Sequence, residues 1–108
     1  MLGKTVKVVI DRPLGSCHPK YKDLLYTVNY GYVPGVMAPD GKEQDAYILG
    51  VDVPVAEYDA HIIAIVHREN DVEDKLVGAP AGMAFSKEEI AAAVRFQEQY
   101  YKTWIEMA

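Results

Sequence analysis

Two groups of acids carry the residue types that metal and oxyanion chemistry requires. Asp40 and Asp45 bracket the turn of "PDGKEQD", and Asp71 and Glu73 lie further along, in "NDVED". Carboxylates are hard oxygen donors, and Mg²⁺ takes a few of them together with waters and a phosphate. Two such segments meeting in space would form a pocket for a divalent ion. Lys7, Arg12, Lys20, Arg68 and Lys75 are the cations that could clamp phosphate oxygens. Lys75 leads among them, because alternation along an extended chain puts it on the face of Asp71 and Glu73. Taken singly, the same acids and lysines read equally well as solvated surface charges.

Tyr26, Tyr30 and Tyr32 crowd into "LLYTVNYGYV". They are either core aromatics whose hydroxyls reach a barrel mouth or donors to a phosphate oxygen, and both readings stay open. His18 and His67 invite a metal or acid–base reading. His67, closing the apolar run "IIAIV", fits a hydrogen-bonded edge residue better than a ligand. There is no HExxH, no CxxC and no paired-histidine spacing, which argues against zinc. P-loop, dinucleotide-binding and Gly-x-Ser-x-Gly patterns are also absent.

The groups must be positioned mostly by strands. "TVKVVI" (5–10) is short and β-branched and predicts a first strand. "DRPLGSCHPKYKD" reads as a loop, and "LLYTVNYGYV" as a second extended run with Tyr26, Val28, Tyr30 and Tyr32 on one face. "DAYILGV" predicts a third strand after the "PDG" turn. "AHIIAIVH" predicts a fourth, buried on both faces, and "VEDKLVGAP" a fifth. Ser86 to Glu89 forms a capping box, after which Ile90, Val94, Tyr101 and Ile105 follow helical spacing. Five strands and a C-terminal α-helix imply a mainly β fold, a small closed or partly open barrel.

The 108 residues suffice for a single domain spanning 1–108. Half are hydrophobic and a quarter charged, a globular balance. A net charge of −5 opposes a module that grips nucleic acid through its backbone. A small anionic substrate stays compatible, since bound cations reverse the sign locally. The lone Cys17 cannot close an internal disulfide and reads as a loop thiol. No apolar run is long enough for a membrane helix, and the first residues lack signal-peptide features. The expectation is a cytoplasmic protein without membrane or nucleic-acid partners. A chain this short also has reason to bury surface in a homo-oligomer.

The order "YTVNYGYVP", "DGKEQD", "EDKLV", "FQEQY" resembles the soluble, Mg²⁺-dependent family I inorganic pyrophosphatases, from about residue 7 to residue 102. The resemblance implies an OB-like five-stranded barrel that hydrolyses inorganic diphosphate with Mg²⁺. It implies that Asp40 and Asp45 ligate the activating metals, with Glu73 on another metal-binding position and Asp71 near a further one. Lys75 and Lys7 would contact phosphate. Tyr26, Tyr30 and Tyr100 would be site tyrosines, with Lys102 replacing a neighbouring lysine one position displaced. The family's phosphate-binding arginine falls near His18, with Arg12 or Lys20 as substitutes. Two departures stand out: Lys42 replaces the middle acid of the family's Asp-x-Asp-x-x-Asp motif, and Val9 replaces a glutamate. Glu43 is then the substitute base within reach, with Tyr30 beside it as a catalytic group. Alternatively the barrel binds diphosphate or another phosphoanhydride without turnover, or binds oligonucleotides through exposed tyrosines, a reading the acidic pI opposes.

Overall fold

The computed structural model describes residues 1–69 and 73–108. Among these, six strands and one helix follow in the order β1 (Thr5–Arg12), β2 (Asn29–Met37), β3 (Glu43–Ile48), β4 (Glu57–Arg68), β5 (Asp74–Ala79), α1 (Lys87–Glu98) and β6 (Thr103–Met107). The sheet runs β1-β2-β3-β5-β4, and a further β1–β4 pairing closes it into a five-stranded barrel. β6 lies outside the barrel, on β4. β3 and β5 are parallel and the other pairs antiparallel.

Alternation explains how the barrel fills. Val8 and Ile10 of β1 point inward and meet Val33, Ala46, Ile48, Ala60, Ile62 and Leu76. Branched residues interleaved with alanines suit the limited interior of so small a barrel. A second core forms on the outside, where α1 covers one wall. Ile90 and Val94 are fully or almost fully buried there with Tyr26, Tyr30, Tyr47, Leu49 and Val77. Each of the two aliphatic side chains contributes about 1.5–3 kcal/mol by leaving water. The helix begins as expected: Ser86 Oγ accepts the Glu89 N–H at 3.1 Å, and Glu89 Oε1 accepts the Ser86 N–H at 2.8 Å.

Three sequence expectations change. The helix does not run on to Ile105; it stops at Glu98, and Thr103–Met107 forms β6. The cause lies in β4, whose first half pairs with β1 (57–61) while residues 64–68 have that edge open for β6. β4 is not buried on both faces but alternates: Ala60 and Ile62 face the barrel interior, and after a register shift between Ile62 and Ala64 it is Ala64 and Val66 that join the core under the helix, their neighbours being half-buried. Tyr26 is not part of β2. It sits in the preceding loop, held by backbone hydrogen bonds to Gly15 and Ser16, yet its ring still lies 5.4 Å from that of Tyr30.

At Gly31 the backbones of β1 and β2 leave no room for a side chain. A Cβ there would fall on the Val9 carbonyl oxygen, at 1.8 Å. Because that obstacle is backbone inside a ladder, Gly31→Ala should destabilise the fold by about 2–3 kcal/mol. A urea titration beside Gly35→Ala tests this; at that position the added Cβ meets nothing, although φ of +79° strains it modestly.

Candidate functional site

The candidate residues gather on the outer wall of the barrel, next to the helix. Val9 pairs with Tyr32, Tyr32 with Asp45, and Ala46 with Leu76 on the parallel neighbour. Since Val8, Ala46 and Leu76 point inward, Val9, Asp45 and Lys75 point outward in one row. Lys75 is the hub. Its Nζ lies 2.5 Å from Asp45 Oδ2 and 3.3 Å from Glu73 Oε2, and its side chain is only 5 % exposed. Asp40 completes the meeting of the two segments. Its Oδ1 accepts the Lys42 N–H at 2.9 Å, and Glu73 and Lys75 are among the groups that act on its carboxyl. The Lys42 backbone bond holds the Asp40 carboxyl below its ordinary range, and Glu73, Lys42 and Lys75 act in the same direction.

Asp11 joins this group although the sequence reading passed over it. Burial pushes its carboxyl up, and the nearby Asp45 charge adds to that, against Arg12. The signal was available: in "KVVID" an inward Val8 and Ile10 put Lys7, Val9 and Asp11 on the same outer face.

Two cations flank Tyr30. The Arg12 guanidinium carbon lies 5.6 Å from the ring centroid and the Lys75 ammonium 5.9 Å. Burial pushes the Tyr30 phenol up, and the charge and hydrogen bond of Asp45 push it further, so Tyr30 stays a protonated donor. Arg12 Nη1 donates to the Tyr26 hydroxyl. Burial opposes the guanidinium charge, but the Tyr26 bond and neighbouring groups outweigh it and keep Arg12 cationic.

Behind these groups runs a buried polar chain. Tyr26 donates to Gln97 Oε1 at 2.7 Å, Gln97 Nε2 donates to the Tyr47 hydroxyl at 2.7 Å, and Tyr47 donates to Glu98 Oε2. Arg68 donates to Glu98 through Nε at 2.9 Å and Nη2 at 2.7 Å, and to Glu73 through Nη1 at 3.2 Å. The Tyr101 ring covers its guanidinium at 3.7 Å. Gln97 and Glu98 were not singled out in the sequence. They stand three and four residues after Val94, on the buried stripe of α1, where polar side chains require partners.

The other expected site residues lie apart from this hub. Lys7 is on the outer face but pairs with Glu57 at 3.3 Å. Glu43 Oε2 accepts the Gly35 N–H at 2.9 Å, which fixes the β2–β3 connection. Lys102 is 76 % exposed and lies 3.5 Å from Glu69. Asp71 falls outside the described residues. His67 is hydrogen-bonded at the edge of β4, between Asp74 and Glu106. His18 and Tyr100 line a separate cleft of about 560 Å³ between the loop after β1 and the end of α1.

His18 Nδ1 accepts the N–H groups of Lys20 and Tyr21 at 3.0 and 3.2 Å. Burial, then Arg12 and Lys20, push its pKa below the ordinary value. The fold therefore favours the neutral ring. That contribution is complete above about pH 6.5 and is lost as pH falls through the lower folded value. Amide exchange at Lys20 and Tyr21, corrected for intrinsic rates, should accelerate between pH 7.5 and 5, and His18→Ala should abolish the pH dependence.

Asp40, Asp45 and Glu73 are hard oxygen donors of the kind that Mg²⁺ accepts. Among the described residues, no group of three or more acids, histidines or cysteines is drawn together tightly enough to hold a metal. Instead the Lys75 ammonium takes the position between Asp45 and Glu73. Both acids are about one-third exposed, 34 % and 30 %, so their carboxylates can pivot toward an incoming cation.

This arrangement sits on a backbone shared with solved enzymes. The structure of an inorganic pyrophosphatase from Ehrlichia chaffeensis superposes with a TM-score of 0.76 at 17 % identity, covering 99 % of this chain and 88 % of that one. An inorganic pyrophosphatase from Neisseria gonorrhoeae gives 0.70 at 21 % identity, over 91 % and 74 %. This chain has the inorganic pyrophosphatase fold. The inorganic pyrophosphatase from Helicobacter pylori is similar at a TM-score of 0.64 and 20 % identity, over 98 % and 83 %. No family model and no curated relative matches the sequence. The pyrophosphatase fold accounts for the closed five-stranded barrel expected from "TVKVVI" onward. No helix among the described residues is long and apolar enough to cross a membrane.

Proposed function

We propose that the protein hydrolyses a phosphoanhydride with the help of Mg²⁺, inorganic diphosphate being the simplest substrate and two phosphates the products. The observation that carries this reading is the meeting of Asp45 and Glu73, from two separate segments, at the buried Lys75, with Asp40 on the turn that leads into Asp45. The pyrophosphatase fold of the backbone supports the same reaction class. Asp40, Asp45 and Glu73, with Asp71 as a further acid, would hold the metal. When bound, it supplies neutralisation of the phosphate oxygens and acidification of water. Lys75 and Arg12 neutralise oxygens from the two sides of Tyr30, whose protonated phenol donates a hydrogen bond to them.

The test is phosphate release from diphosphate with Mg²⁺ and after chelation. Turnover above background that disappears with chelator supports the proposal, and none at any Mg²⁺ concentration refutes it. A second reading, a binding module without turnover, rests on Lys42 at an acidic motif position and on Glu43 already bound to the Gly35 N–H. Lys42→Asp separates the two. A hydrolase should keep its rate within about tenfold, whereas a binding module should gain turnover of about 10²-fold, the size of a general-base effect.

A further inference from the structure

We infer that the phosphoanhydride this site accepts carries a nucleoside, and that its base lies in the cleft between the loop after β1 and the end of α1. The inference rests on the phosphoanhydride reading above and adds the identity of the group attached to it. Two hydrogen bonds link the cleft of about 560 Å³ to one of the two cations: Gln97 in its wall accepts the hydrogen bond of Tyr26, and Tyr26 in turn accepts that of Arg12. The His18 ring, also in the wall, lies 6.3 Å from that of Tyr26 and nearly parallel to it.

The character of the lining decides what fits. Tyr21, Tyr100, Tyr101 and His18 supply ring faces, and Leu24 an apolar floor. Tyr100 is 70 % exposed and Tyr21 and Tyr101 are also open to solvent, so these phenols have area left to cover. Among the described residues no lysine or arginine lines the cleft, and the one formal charge that they bring to its wall is that of Asp23. Two cations lie behind the lining rings, Lys20 at 5.6 Å from the Tyr21 centroid and Arg68, already held by Glu98 and Glu73, at 3.7 Å from that of Tyr101. A second phosphate would meet a carboxylate there with no cationic lining. A flat uncharged ring would meet aromatic faces, which stack on any base. The edges suit a base as well. Because His18 Nδ1 accepts two backbone N–H groups, its proton resides on Nε2 as a donor, while Asp23 accepts.

The substrate class is therefore a nucleoside diphosphate, with its terminal phosphoryl at Lys75, its inner phosphate at Arg12 and its base in the cleft. Water attacks the terminal phosphorus, the bond from that phosphorus to the bridging oxygen breaks, and nucleoside monophosphate, phosphate and one proton leave. No oxidant, reductant or further co-substrate is needed.

Calorimetric titrations with two hydrolysis-resistant probes in Mg²⁺ test this: methylene-bridged ADP and methylenediphosphonate, which lacks the nucleoside. The nucleotide probe should bind about tenfold more tightly or better, the size of one base–aromatic stack. Tyr21→Ala should erase most of that advantage and Tyr21→Phe should retain it. Equal affinities for the two probes, or a preference that Tyr21→Ala leaves intact, overturn the base cleft while the phosphoanhydride reading stands. Failure of both probes to bind overturns the two together.

Discussion

Lys75→Met should lower phosphate release by about 10²–10³-fold, the usual effect of removing one preorganised charge from a site where negative charge develops. The physical reason is the burial of that ammonium. At 5 % exposure it is screened little by water, so its attraction for a phosphate oxygen far exceeds that of a surface lysine. The same variant should bind Mg²⁺ more tightly, by about tenfold or more, since Asp45 and Glu73 lose the cation that now occupies them. Opposite changes in turnover and metal affinity are the signature of a lysine that competes with metal for its carboxylates and then serves the substrate. A parallel fall in both would mean that Lys75 only props up the strand. Circular dichroism and a melting curve guard against simple unfolding.

That lysine was legible in the sequence because strands alternate. Once β5 is extended, Glu73 and Lys75 must share a face, and they lie 3.3 Å apart. The capping box at Ser86 was legible for a similar reason, its two bonds being local to four residues. β6 was not. Tyr101 and Ile105 stand four apart, which fits a helix, while "TWIEM" fits a strand equally well. The choice was made by the open second half of β4, a long-range fact absent from any short window. Asp11 was missed because alternation gives its face but not what happens there: burial in the folded wall raises its carboxyl, and Asp45 across the sheet adds to that. Tyr26 reached the site by a loop where alternation along one strand was expected. Two bonds to Gly15 and Ser16 fold that loop back so that its hydroxyl meets Arg12 and Gln97.

Glu98→Ala should destabilise the protein by about 3–5 kcal/mol, measured by urea unfolding, a loss typical of breaking a buried charged pair. Glu98 accepts two N–H groups of Arg68 and the Tyr47 hydroxyl, and all three side chains are buried. Truncation leaves a guanidinium and a phenol short of acceptors where water cannot easily replace them, with Glu73 still bonded to Arg68 from the other side. Glu98→Gln keeps one acceptor oxygen and the shape, so its cost should be smaller, about 1–3 kcal/mol. Function should follow through Glu73. With Glu98 gone, Arg68 turns more fully to Glu73 and draws that carboxylate from Lys75 and Asp40, the point at which the two acidic segments meet. The expected kinetic result for Glu98→Gln, which should remain folded at 25 °C, is a rise in the Mg²⁺ concentration needed for half-maximal rate with little change in the rate at saturation. A fall in the saturated rate with unchanged Mg²⁺ dependence would instead place Glu98 beside the reacting phosphate, and the buried chain from Arg12 to Glu73 would then act on substrate and not on the acids proposed to hold the metal.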